Sequence, residues 1–161
     1  YLQEHLAQKR AVYERYKEGL SDLPVSMNPW DEENSVPNFW LSCMLIDSEA
    51  MCPQVRDDQM ALFTPISGKS CPTEILEALA AFGAEGRPVW KPMHMQPIYR
   101  SHPFVTAEGN GRGLSNAYID TGKTRDVGAD LFRRGLCLPS DNKMTKDEQD
   151  RIIEIIHRCF D

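Results

Sequence analysis

An α+β fold, with a small mixed or antiparallel sheet covered by helices, is predicted by three observations. Apolar residues recur at helical spacing in several separate stretches. Between these lie short continuous apolar runs of strand length, at 39–46 and 136–138. Helices and strands alternate without the regular rhythm of a parallel βαβ sheet. The length of 161 residues suits one domain. With 41% hydrophobic and 26% charged residues, the chain can bury a core.

The first element is a helix over residues 2–20, where Leu2, Leu6, Tyr13, Tyr16 and Leu20 share one face and charged residues cover the rest. It ends at Gly19 and Pro24. No capping residue precedes Leu2, and the first residue is Tyr, so residues upstream are expected to be missing. Residues 28–37 are polar, acidic and bounded by prolines, which reads as a loop. The run 39–46 is aromatic and apolar and predicts a buried strand. Residues 47–59 read as irregular, and 60–66 as a short strand. Pro72, Thr73 and Glu74 open a helix through Phe82, since proline suits the first turn and acids favour the N-terminal dipole; Gly83 closes it. Residues 87–99 read as extended, and Pro88, Pro92 and Pro97 bar them from a fully paired central strand. Residues 101–125 are rich in glycine and poor in large apolar groups, and predict a long loop. A short helix follows over 126–134, ended by Gly135, and a short buried strand over 136–138, stopped by Pro139. Thr145 and Glu148 form a capping box ahead of the final helix, whose stripe is Ile152, Ile153, Ile156, Cys159 and Phe160.

Charge excludes some functions. Lys and Arg number 18 against 24 Asp and Glu, a formal charge of −6. Nucleic acids and anionic membranes attract positive fields, so neither is an expected partner. The longest apolar stretch falls far short of the ~20 residues of a membrane helix. A secretory signal pattern is lacking. The five cysteines are odd in number and contain no C-x-x-C pair, so neither a disulfide framework nor a metal is expected. Cys43, Cys137 and Cys159 sit in apolar runs, where cysteine acts as a small hydrophobe. A reducing, cytoplasmic location is the expectation.

Three motifs compete for chemistry. Residues 117–124 approach a phosphate-binding P-loop, but Ala117 replaces the first glycine and no buried strand precedes it. Residues 109–113 alternate Gly with Asn110 and Arg112, again without the flanking strand and helix of a dinucleotide site. The stretch Trp90, Lys91, Pro92, Met93, His94 is different in kind. A proline-stiffened segment holds an indole, a cation and an imidazole close in sequence, a set that suits an anionic ligand. Its structural alternative is a stiff surface strand whose Trp90 packs in the core. His5 and His157 read as surface residues. A nucleophile–base pair is not readable.

Residues 86–97, Gly-Arg-Pro-Val-Trp-Lys-Pro-Met-His-Met-Gln-Pro, resemble a segment of the DegT/DnrJ/EryC1/StrS sugar aminotransferases. Residues 129–140, containing Gly135-Leu136-Cys137-Leu138-Pro139-Ser140, resemble that family's C-terminal motif. Residues 144–150 and the Ile-rich helix match its closing helix, and the opening helix matches its interdomain linker. The resemblance implies the small domain of a fold-type I enzyme, with 1–24 as the linking helix from a missing large domain and 25–161 as the C-terminal domain. It implies a pyridoxal phosphate enzyme that moves an amino group, usually from glutamate, to a nucleotide-linked keto sugar for surface polysaccharides or glycans. A homodimer is implied as well. None of the seven lysines lies in the family's cofactor-lysine motif, so this chain alone is expected to hold no cofactor and no catalytic residue. The resemblance places Lys91 and His94 in contact with substrate, with Trp90 as a shaping wall and Tyr99 as a further contact. Arg100, Asn110 and Arg112 are candidates to reach a diphosphate or a partner subunit. Ala84-Glu85-Gly86 departs from the family's usual turn. The alternative is a free-standing α+β binding or scaffold module without catalysis.

Overall fold

The computed structural model describes residues 1–57, 59–99, 102–105, 111–112 and 126–161, with 104–105 and 111–112 described as backbone. In chain order the elements are α1 (Leu2–Gly19), β1 (Val25–Met27), β2 (Ser42–Ile46), β3 (Gln54–Arg56), β4 (Ala61–Phe63), α2 (Pro72–Ala81), β5 (Arg87–Pro88), β6 (Phe104–Val105), β7 (Gly111–Arg112), α3 (Val127–Arg134), β8 (Gly135–Leu138) and α4 (Lys146–Arg158). The chain divides into two compact units, Tyr1–Pro88 with Arg134–Asp161, and Val89–Arg133. The α+β class holds.

The first unit is built on an antiparallel sheet of order β1-β2-β8-β5. Side chains alternate across a strand, so Met44 and Ile46 of β2 share a face with Leu136 and Leu138 of β8. Helices α1, α2 and α4 cover that face through Val12, Tyr16, Ile75, Leu79, Ile152 and Ile156, and these residues form one core. Cys43 and Cys137 point to the other face. They are register partners, with both thiols free and sulfurs 3.5 Å apart.

Local chemistry explains the helix ends. Cys71 caps α2 and Pro72 takes its first turn. At the other end Gly83 adopts φ 76°. Its N–H bonds Ala80 O at 3.0 Å and Ala84 N–H bonds Leu79 O at 2.9 Å, a Schellman closure that a side chain at Gly83 would strain. In α4 the capping box forms: Thr145 Oγ1 accepts from Glu148 N at 3.2 Å, and Glu148 Oε2 accepts from Thr145 N at 2.8 Å. The backbone N–H of Thr145, followed by its hydroxyl, holds the Glu148 carboxyl below its usual range. Tyr16 is fully buried, and its hydroxyl donates to Pro139 O at 2.8 Å, tying α1 to the chain after β8. Burial raises that phenol well above its usual value.

Several expectations are corrected. The strand predicted from 39 starts at Ser42, because Phe39 turns to φ 50° and puts its ring against Tyr13 and Trp30, at 5.1 and 5.9 Å. The stripe of α1 buries only its second half: Val12, Tyr13 and Tyr16 are inside, whereas Leu2 is 69% exposed. Strand β1 was unforeseen, its three residues being too short for an alternation to show. Residues 47–59 contain a 3-10 turn at Ser48–Ala50 and β3, which forms a hairpin with β4. Within 87–99 only Arg87–Pro88 is a strand, and 3-10 turns occupy Met93–Met95 and Pro97–Tyr99. Strands β6 and β7 pair inside the predicted loop. The motif at 117–124 lies outside the described residues.

Candidate functional site

The second unit carries the segment that the sequence singles out. Its prolines lack N–H donors, so the chain turns on the bonds that remain. Met95 N–H bonds Pro92 O at 2.9 Å, and Tyr99 N–H bonds Gln96 O at 3.0 Å. The Gln96 side chain donates to Lys91 O at 3.2 Å and braces the first turn. These turns bring His94 to Asp126, with Nε2 to Oδ2 at 2.7 Å. Asp126 also caps α3, its other oxygen accepting from Ala129 N at 2.9 Å. One carboxylate therefore fixes a helix start and an imidazole together.

The pair is sheltered: the Asp126 side chain is 2% exposed and that of His94 is 15%. An ionised carboxylate can only accept, so it sets the tautomer with the proton on Nε2. In the neutral ring Nδ1 is then the acceptor. Pro92 closes the same corner: a Cβ on Gly128 would lie 3.2 Å from its Cγ.

The predicted residues occupy different environments. Trp90 is 63% exposed, which overturns the alternative that packs it in the core. Lys91 is half-buried. Tyr99 is partly exposed, with its ring 5.7 Å from that of His102. Lys91 and His94 flank Pro92 and Met93 on one tightly turned stretch. By chemistry alone an ammonium suits an anionic group, and an imidazole of fixed tautomer offers one defined acceptor. Asp126 is the residue that sequence reasoning missed. Its place at the start of a short helix was legible, but its reach to a histidine 32 positions away was not. Arg100 and Asn110 lie outside the described residues, and Arg112 is placed as backbone in β7.

Four of the six described lysines do not fit a Schiff-base cofactor. Such a lysine works from a desolvated pocket, whereas Lys17, Lys143 and Lys146 are exposed. Lys9 donates to the carbonyls of Trp40 and Ser140. Three surface cavities, of about 390, 710 and 370 Å³, all belong to the first unit and include none of the residues discussed above for substrate.

Residues 1–157 match the model of the DegT/DnrJ/EryC1/StrS aminotransferase family, and the chain belongs to that family. A curated relative, the "putative pyridoxal phosphate-dependent aminotransferase EpsN" of Bacillus subtilis, is 33% identical over 159 residues, covering 99% of this chain and 32% of the relative. The crystal structure of DesI in the presence of its TDP-sugar product is similar at a TM-score of 0.67 and 18% identity, covering 98% of this chain and 32% of that one. The aminotransferase TlmJ from Streptoalloteichus hindustanus gives a TM-score of 0.64 at 14% identity, covering 98% and 32%. The chain thus spans about a third of the length of the relatives it matches.

Proposed function

We infer that this chain is the C-terminal, substrate-side part of a sugar aminotransferase. In this reading α1 links it to a large domain, and 25–161 form the small domain. The whole enzyme passes an amino group from glutamate to a nucleotide-linked keto sugar, for surface polysaccharide or glycan synthesis. Pyridoxal phosphate, held by the rest of that enzyme, supplies the amino-group transfer. What these residues supply is binding and orientation. Lys91 presents a point charge to the anionic part of the substrate. His94, aligned by Asp126, presents a ring of defined tautomer, and Trp90 and Tyr99 shape the wall. The enzyme is a cytoplasmic homodimer, and this chain alone is inactive.

The observation that carries this reading is the family match over nearly the whole chain, with His94 of the segment 89–99 held in place by Asp126. Lys91→Ala and His94→Ala in the full-length enzyme test it. Each raises the KM for the nucleotide sugar, by about tenfold for a lost charge-assisted contact worth ~1.5 kcal/mol. Unchanged kinetics in both would remove these residues from the site. Reading the coding frame upstream of Tyr1 tests the domain assignment. A preceding large α/β domain supports it, and a start codon directly before Tyr1 makes the chain a free-standing binding module.

A further inference from the structure

The thiols of Cys52 and Cys71 and a carboxylate oxygen of Glu74 lie within 4.8 Å of one another. Both cysteines are buried, at 2% and 0% exposure. They come from separate places in the sequence, 19 positions apart, which is why spacing did not reveal them. The backbone holds them together. Met51 bridges to Ser70, Cys52 N–H bonds Ser70 O at 2.9 Å, and Ser70 N–H bonds Ala50 O at 3.0 Å. Cys71 then caps α2, and one turn later Glu74 folds back on the same side.

The direction of Glu74 is the telling feature. It is half-buried and has open surface beside it, for it lines a cavity of about 370 Å³ with Phe63, Glu77 and Cys159. Yet its Oε2 turns inward, accepting from Ser70 Oγ at 2.8 Å and lying 3.9 Å from Cys52 Sγ. A carboxylate beside the Cys52 thiol opposes its ionisation. Burial first, then the contact with Cys71 and the charges of Cys71 and Glu74, pushes the Cys52 thiol up to about 12. A disulfide would gain nothing from such a carboxylate. A divalent cation gains from all three groups.

We propose that Cys52, Cys71 and Glu74 bind a zinc-class divalent ion through two sulfurs and one oxygen, with the fourth position open to solvent at the Glu74 cavity. Two soft thiolates with a carboxylate suit zinc better than magnesium or calcium, which prefer all-oxygen sets. Tetrahedral bonds of about 2.0–2.3 Å bring donors to roughly 3.3–3.8 Å, so the Cys52–Glu74 pair, at 3.9 Å, is almost at that spacing and the widest pair closes from at most 4.8 Å. Ser70 Oγ, bonded to the ligating carboxylate, is the outer-shell partner that orients it. The Arg56 guanidinium lies close enough for its charge to interact with Cys71. Both thiol protons leave as the ion enters, so affinity rises with pH.

The test uses the intact protein, reduced, stripped of metal and titrated with Co2+. The expected result is one equivalent bound, with the thiolate charge-transfer band and the strong visible bands of a tetrahedral site, both abolished by Zn2+. Affinity rises between pH 6 and pH 8. Ser70→Ala weakens binding by about 10–100-fold, the usual cost of an outer-shell partner. Cys71→Ser and Glu74→Gln weaken it further, and Cys43→Ser, on the far face of the sheet, leaves it unchanged. Glu74 is not fully buried, so Glu74→Gln keeps the fold if Cys71→Ser does not, and circular dichroism checks both. The proposal is overturned by the absence of the bands, by bands that survive Cys71→Ser or Glu74→Gln, by loss of binding in Cys43→Ser, or by a Cys52–Cys71 disulfide in the protein isolated without reductant and free of metal.

Discussion

The helix-backed unit and the unit Val89–Arg133 are held by opposite means. In the first, apolar side chains from three strands and three helices meet in one core, and its polar bonds finish what packing begins. In the second, two prolines, a pair of 3-10 turns and one carboxylate set the geometry. The lesson is a division of labour. Packing tolerates exchange of similar side chains, so it can serve as a frame. A short polar contact has no equivalent substitute, so it belongs where orientation matters.

The largest effect that would sharpen this contrast comes from the core. Leu136→Ala or Ile156→Ala, both fully buried, should cost about 2–5 kcal/mol in denaturant unfolding of the intact protein. A loss below ~1 kcal/mol would break the picture of a single cooperative frame. Gly86 comes next. A Cβ there would lie 2.7 Å from Leu76 Cδ2 and 3.2 Å from Cys137 O. The leucine tip can yield but the carbonyl cannot, so Gly86→Ala should cost about 1–3 kcal/mol.

Asp126→Asn separates the two duties of the second unit. Asn caps a helix as well as Asp, so stability should hold. His94 loses its ionised acceptor, and turnover or substrate affinity should fall about tenfold, the equivalent of ~1.4 kcal/mol. Equal losses in stability and kinetics would show that the pair only holds the fold.

Thr145→Ala removes the cap of α4 at a cost of about 1 kcal/mol. It also changes the acid response. Because the Glu148 carboxyl is depressed in the folded chain, its contribution is present above the unfolded carboxylate value and is lost as pH falls through the lower, folded value. Stability of the variant should therefore vary less over that acidic window, as read by thermal melts at stepped pH. The smallest effect is of opposite sign. The Ser42 hydroxyl is buried without a hydrogen-bond partner among the described residues, so Ser42→Ala should stabilise by up to about 1 kcal/mol.

The same contrast explains what was legible in the sequence. Elements specified by local chemistry were readable at residue level: Pro72 and Gly83 around α2, Thr145 with Glu148 at α4, and the stop at Pro139. Elements specified from afar were not. Phe39 leaves the strand to reach Tyr13, and β1 exists because Val25–Met27 has β2 to pair with. The segment 90–99 was found as a composition, but its turns and its bond to Asp126 depend on a partner that no local pattern encodes. Cys52, Cys71 and Glu74 belong with these, since their meeting depends on the bridge between Met51 and Ser70.

Strand β5 has a consequence for how the molecule avoids sticking to itself. It is one of the two outer strands of its sheet, only Arg87 and Pro88 long, and it pairs with β8 on its inner side. An open sheet edge is a template on which a stray strand can grow, the first step toward aggregates. Here the edge offers a proline with no N–H to give and an arginine that is 75% exposed and paired with Glu85. A newcomer strand would meet a charge and a missing rung. Chain growth at that border is blocked by the same proline that ends the strand before Trp90.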